Sequence, residues 1–252
     1  MKKRDVRLTT DAHRKPFDHF YEAFRDIGHR EGWRAGEVVR HFLEAGFRSV
    51  RGKLLAGKAF DDNEAEYMRI VKACRKPQET MHDLAVMLGA TALALGSEPV
   101  DFIGPVFNEV AADAGMGQCF TPFDLCRVMA MLAIPHTRDE ALRDGKRYIT
   151  IQEPSCGVGA MILATNLVLR ERGFDIAREV HWLAVDVDAR ALHGAYLQAA
   201  LTDSSGIFVH GNTLTLAQHS ATPTPAAALY PKSFAAAPKP VAAGPLGQLE
   251  LF

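Results

Sequence analysis

Residues 148–188 read YITIQEPSCGVGAMILATNLVLRERGFDIAREVHWLAVDVD, and this stretch decides the fold class. YITIQE (148–153) alternates and is rich in β-branched residues, so it is a strand. CGVG (156–159) reads as a tight turn. AMILATNLVLRERG (160–173) carries apolar residues at helical spacing, and VHWLAVDVD (180–188) is a second strand. The alternation continues with a helix, ARALHGAYLQAALTD (189–203), and a third strand, GIFVHGN (206–212). Repeated β-α units with short links imply a parallel sheet with right-handed crossovers. The expected class is α/β, with a partial Rossmann-like sheet.

Upstream, residues 1–115 read as a mostly helical region. Phe17, Phe20, Tyr21, Phe24 and Ile27 recur at helical spacing. Val38, Val39, Phe42, Leu43, Phe47, Val50 and Leu54 suggest a second helix, interrupted near Gly46. Residues 63–75 and 79–95 form two more, separated by Lys76-Pro77, and 102–114 another. GQCFTPFDLCRVMAMLAI (117–134) has a helix start in which Thr121 caps, Pro122 takes the first helical position and Asp124 closes the box. HTRDEALRDGKR (136–147) reads as a polar loop. Residues 116–216 are assigned to the sheet domain and 217–252 to a tail. That tail holds six prolines and ten alanines, so residues 217–246 are expected to be a semi-extended linker.

The 252 residues suffice for one large domain or two small ones. The net charge of −1 conceals an asymmetry: residues 1–60 carry 14 Lys/Arg against 8 Asp/Glu. A basic amino-terminal region attracts phosphate backbones such as DNA, although a solvated helical surface is an equally good account. Cys74, Cys119, Cys126 and Cys156 form no CxxC pair, and the opening MKKRDVRLTT is not a signal peptide. Free thiols in a reducing cytoplasm are expected. No stretch is long and apolar enough to suggest a membrane span, and the histidines lack metal-ligand spacing.

The chemistry is expected where strands end. EPSCGVG (153–159) lies at the carboxyl end of a strand and opens a helix, the place where ligands of open α/β sheets bind. Gly157 and Gly159 let a ligand approach the backbone, and the helix start offers free N–H groups to a carboxylate. Asp186 ends the next strand, where a carboxylate accepts two ribose hydroxyls. His210-Gly211-Asn212 ends the third, a place for a purine edge. The alternative is a doubly wound domain whose glycines only tighten a turn.

GQCFTPFDLCRVMAML (117–132) followed by ITIQEPSCGVGAMILAT (149–165) resembles the N6-adenine DNA methyltransferases, especially the modification subunits of type I restriction systems. Their pattern is roughly GQFFTP, a strand, then DPACGTGGFLI. DFIGPVFNEVAADAG (101–115), AVDVDARAL (184–192) and HGNTL (210–214) extend the resemblance over residues 100–216. The resemblance implies that S-adenosylmethionine is the cofactor. It implies that Phe120, Thr121 and Pro122 border the site, and that Glu153, Pro154, Ser155, Cys156, Gly157 and Gly159 form its turn. Asp186 would hold the ribose and Asn212 would lie near the adenine ring. Glu153 and Asn212 replace the usual Asp at their positions, and Val158 replaces the usual Thr.

One family element is missing. Methylating an exocyclic amine requires a flipped base held in line with the methyl donor. The family does this with an Asn/Asp/Ser-Pro-Pro-aromatic tetrapeptide after its fourth strand. This chain has no Pro-Pro pair, and no candidates for strands four to seven. No catalytic residue is assigned, and whether the chain is itself an enzyme stays open. The alternative role is an inactive regulator or anti-restriction protein. A half-sheet also leaves a strand edge that invites pairing, so a homodimer or partner subunit is expected. Finally, Gln248, Leu249, Leu251 and Phe252 in the terminal QLELF resemble the peptide by which bacterial replication and repair proteins bind the sliding clamp.

Overall fold

The computed structural model of the chain describes residues 1–3, 6–113, 121–143 and 145–230. Phe120 and the tail residues Gln248, Leu249, Leu251 and Phe252 lie outside the described residues.

The aromatic stripe of the first helix organises the amino-terminal region. Helix α1 (Arg14–Glu31) buries Phe17, Phe20, Phe24 and Ile27. Phe20 meets Phe42 of α2 (Ala35–Gly52) edge-on at 5.2 Å between ring centroids, and Phe102 at 5.6 Å. Helix α3 is Gly57–Ala73 and α4 is Pro77–Ser97; they part at Lys76 as expected, but Pro77 belongs to the first turn of α4 rather than to the break. The buried carboxylate of Glu31 accepts from the Arg75 and Lys76 amides at 2.6 and 3.2 Å and from the Thr80 hydroxyl. It thereby caps α4 from α1. Burial alone would raise its pKa, yet these hydrogen bonds and the Arg30 charge hold it below the usual glutamate range.

Helix α2 is not interrupted at Gly46. A Cβ there would stand 2.9 Å from Leu197 Cδ1, so the glycine marks a close helix–helix approach rather than a break. The next helix, α5 (Ile103–Asp113), leads to α6 (Phe123–Ala133). Helix α6 begins one residue later than expected. Pro122, with ψ near 141°, takes the cap position with no side-chain cap bond, and Thr121 falls outside the helix. The expected polar loop contains one short turn, α7 (Arg138–Ala141), capped by Thr137, whose hydroxyl accepts from the Glu140 amide at 3.2 Å.

The sheet follows the expected alternation. β1 (Ile149–Glu153), β2 (Val180–Asp186) and β3 (Gly206–Asn212) are parallel and adjacent in that order. The connections carry α8 (Ala160–Glu171), the short α9 (Ile176–Glu179) and α10 (Ala189–Leu201). Right-handed crossovers place α8 and α10 on one face. There Trp182, Ala184 and Phe208 pack with Ile162, Leu192 and Tyr196. Trp182 Nε1 donates to Asn166 Oδ1 at 2.9 Å, and Asn166 donates to Ser204 at 2.7 Å, so this buried polar pair is satisfied. Phe47 of α2 enters the same cluster and joins the helical region to the sheet.

The expected linker is corrected over its first part. Residues Ala217–Pro223 form β4, antiparallel to β3, and Pro225–Leu229 form α11. β4 has no apolar alternation, and all but Thr222 of its side chains are exposed. What fixes it is backbone pairing, which composition does not report. Thr224 anchors the exit, its hydroxyl accepting from Gly206 N at 3.1 Å and donating to Ser204 O at 2.8 Å. β4 therefore covers the outer edge of β3. β1 is the opposite edge, with no further strand beside it among the described residues. No helix among them is long and apolar enough to cross a membrane.

Candidate functional site

A cavity of about 360 Å³ opens at the carboxyl end of β1, between the turn that follows it and the end of β2. That volume lies at the low end of small-molecule sites, roughly 300–1,000 Å³.

The turn is built by two left-handed residues. Gly157 has φ 53° and Gly159 φ 97°. Gly159 is the cap residue of α8, and a Cβ on it would lie 3.1 Å from the Ala195 backbone. Conformation and space both demand glycine there. The Cys156 amide donates to Val185 O at 2.9 Å and the Gly159 amide to Cys156 O at 2.9 Å, which stitches the turn to β2.

Asp186 closes the other side. It is 8% exposed. Its Oδ2 accepts from the Gly157 amide at 2.7 Å and its Oδ1 from the Asp188 amide at 2.8 Å. Each carboxylate oxygen has a second lone pair, so two further donors can be accepted. One side chain thus fixes the glycine turn and the start of α10 and keeps acceptor capacity at the cavity wall.

Two more carboxylates line the cavity. Glu153 is pushed above its ordinary pKa by burial and then by the charge of Asp186. Asp101 is raised by burial, although bonds from Gln198 and Gly104 oppose the shift. Three carboxyl groups around one small cavity favour a ligand with positive charge. Cys126 and Cys156 also line it, and burial pushes both thiols up, Cys126 to about 11. They stay protonated near neutral pH and serve as small apolar walls.

Of the residues expected at the site, Thr121, Glu153, Ser155, Cys156, Gly157 and Asp186 line this cavity together. Pro122, Pro154, Gly159 and Asn212 do not. Pro154 turns its carbonyl to the Thr213 hydroxyl at 2.6 Å. Asn212 uses its side-chain oxygen on the amides of Leu214 and Thr215 at 2.9 and 3.2 Å, an Asx turn that ends β3. The second wall beside Asp186 is made instead by Val187 and Ala191.

Sequence reading did not find Asp101 or Gln198. Gln198 is fully buried: its Oε1 accepts from the amides of Phe102 and Ile103, and its Nε2 donates to Asp101 Oδ1 and Val158 O at 2.9 and 2.8 Å. It locks the start of α5 to the glycine turn. The only prior signal was an acid three residues before Gly104, where it caps α5 by accepting from the Gly104 amide at 2.8 Å. A glutamine within the apolar run of α10 announces nothing by itself.

Among solved structures, the fold is similar to a Listeria monocytogenes protein assigned as a class I S-adenosylmethionine-dependent methyltransferase, with TM-score 0.48 and 15% identity. The match covers 81% of this chain and 54% of that one, so the chain spans about half the length of that neighbour. No protein-family model and no curated protein matches the sequence.

Proposed function

We propose that the cavity binds S-adenosylmethionine and that the chain is the cofactor-holding part of a DNA adenine-N6 methylation system, with the acceptor base held by another polypeptide. The observation that carries this reading is Asp186. Its carboxylate joins the glycine turn after β1 to the start of α10 and lines the cavity.

The donor set fits the cofactor. A ribose diol would donate to the free lone pairs of Asp186, and Glu153 and Asp101 supply negative charge for a ligand bearing an ammonium and a sulfonium. Thr121 and Ser155 add hydroxyls to the wall, and the left-handed backbone of Gly157 permits close approach. When bound, S-adenosylmethionine supplies an electrophilic methyl group. The residues of this chain bind and orient it and hold it against an apolar wall of Val158, Met161, Val187 and Ala191.

The need for a partner is supported by β1 and α6. β1 is a sheet edge. Helix α6 reaches the same cavity through Cys126, buries Cys126 and Ala130, and exposes Leu125, Val128, Met129 and Leu132 on its other side. The i, i+3, i+4, i+7 spacing of that exposed row is the pattern of a packed helix face. A second polypeptide that carries the base-holding platform would cover this row beside the cavity mouth. Purified chain incubated with DNA and labelled S-adenosylmethionine is accordingly expected to transfer no methyl group above background. N6-methyladenine formed by the chain alone would overturn this half of the proposal.

Glu153 makes the binding pH-dependent. Its raised pKa means that it protonates at a higher pH than a free glutamate, whose pKa is about 4.3. A cationic ligand prefers the ionised form. Affinity should therefore fall with decreasing pH before ordinary glutamates titrate, and Glu153→Gln should weaken binding at neutral pH and flatten that dependence. Titrations of wild type and variant across the acid range check this; parallel curves would contradict it.

Recruitment through residues 248–252 belongs to the same reading. Burying Leu251 and Phe252 is worth roughly 1.5–3 kcal/mol per side chain before ordering costs. Deleting the pentapeptide is expected to abolish capture by a bacterial sliding clamp and leave the melting temperature unchanged. A melting point several degrees lower would show the tail packing on its own domain.

A further inference from the structure

A second cavity, of about 320 Å³, lies between α2, α10 and the β3–β4 pair. Its walls carry Arg40, Arg48, Arg51, Arg190, His193 and His210, with Glu44 the one carboxylate among the lining side chains. Glu44 is shared by Arg48 and Arg69, at 3.7 and 3.4 Å. Arg40 and Arg51 form no ion pair among the described residues. Arg48 keeps a buried Nε without a hydrogen-bond partner among them.

The arrangement is held rather than incidental. Arg48 and Arg51 both stand over the Phe47 ring, at 5.7 and 5.8 Å from its centroid. His193 stacks on Phe47 at 4.1 Å. Burial and then the Arg48 charge press its pKa down to about 3, so it stays neutral beside the arginines. Burial and Arg48 also lower the pKa of Arg51. Positive groups are thus gathered at some electrostatic expense: Asp188 pairs with Arg190 at 2.7 Å and Glu44 and Glu66 with Arg48 at 3.7 and 4.0 Å, which leaves Arg40 and Arg51 as the lining arginines with no carboxylate partner among the described residues.

We infer that this cavity and the α2 face that leads to it bind the phosphate backbone of a nucleic acid, through Arg40, Arg48 and Arg51. The three arginines lie at i, i+8 and i+11 on one side of α2, a row about 16 Å long at 1.5 Å per residue. A single free phosphate cannot engage such a row, whereas successive phosphodiesters can. Guanidinium groups suit phosphate oxygens, and the hydroxyls of Ser220 and Thr222 line the opposite wall. The cavity touches Ala189, Arg190 and Leu192, and the first cavity touches Val187 and Ala191. A backbone seated here therefore runs beside the first cavity. The assignment stands on its own residues and does not require that cavity to bind S-adenosylmethionine.

The test uses the whole chain without cofactor and a fluorescein-labelled duplex of about 20 base pairs, read by anisotropy over a salt series. Arg40→Gln/Arg51→Gln is expected to weaken binding at least tenfold and to reduce the slope of log affinity against log salt by about 1.8, about 0.9 per lost phosphate contact. Arg40→Lys/Arg51→Lys should retain most of the affinity, and the charge-matched control Arg14→Gln/Arg143→Gln should change it less than twofold. Circular dichroism verifies the fold of each. Equal losses in the pocket and control pairs, or a wild type that does not bind the duplex, would overturn the inference. So would a wild type that takes inorganic phosphate tightly while ignoring DNA.

Discussion

Replacing Asp186 with alanine is expected to remove S-adenosylmethionine binding almost entirely. The lost bonds to a ribose diol are charge-assisted, and at about 1–3 kcal/mol or more they correspond to roughly a fivefold to 150-fold or greater fall in affinity. The same change strips the Gly157 and Asp188 amides of their acceptor, at 2.7 and 2.8 Å. The glycine turn then keeps the Cys156–Val185 bond but loses its second tie to β2, so part of the loss comes from a looser site. Asp186→Asn separates the two contributions. An amide oxygen can still accept from Gly157, while its NH2 then meets the Asp188 amide, so the fold should lose less stability than in Asp186→Ala while binding is lost. If Asp186→Ala binds as tightly as wild type, Asp186 does not face the ligand.

Gly159→Ala should have the largest effect on stability. At φ 97° an alanine is strained, by about 1–2 kcal/mol. Its Cβ would also meet Ala195 Cα at 3.1 Å, between α8 and α10, where backbone cannot yield as a flexible side chain would. Overpacking of this kind adds about 1–3 kcal/mol. The expected outcome is about 2–5 kcal/mol of destabilisation in denaturant unfolding, together with weakened ligand binding as the turn moves. Gly173, also at positive φ but with nothing within 4 Å of a Cβ, serves as the comparison. Gly173→Ala should bear the strain alone and leave binding intact.

The sheet was legible because β2 and β3 are largely buried, β1 alternates, and the links between strands and helices are short. Trp182, Ala184 and Phe208 had to face a helix layer, and the residues that link the strands are turn formers. The two glycines and Asp186 were legible for the same reason, since their positions follow from where strands end. β4 was not, because the side chains of Gln218, His219 and Ser220 are exposed and the strand is fixed by backbone pairing with β3. Gly46 misled because the residue that demands it, Leu197, is far away in sequence. Asp101 and Gln198 escaped on similar grounds: a bond across 97 positions has no local pattern. Asn212 ends β3 as expected, and the use of its side-chain oxygen in an Asx turn there was not foreseen.

Isothermal titration of S-adenosylmethionine into the purified, folded chain tests the central claim most directly. The account predicts saturable binding at one site per chain, lost in Asp186→Ala and weakened in Glu153→Gln. A wild-type protein with native circular dichroism and a cooperative melt that gives no binding heat at several temperatures would contradict it.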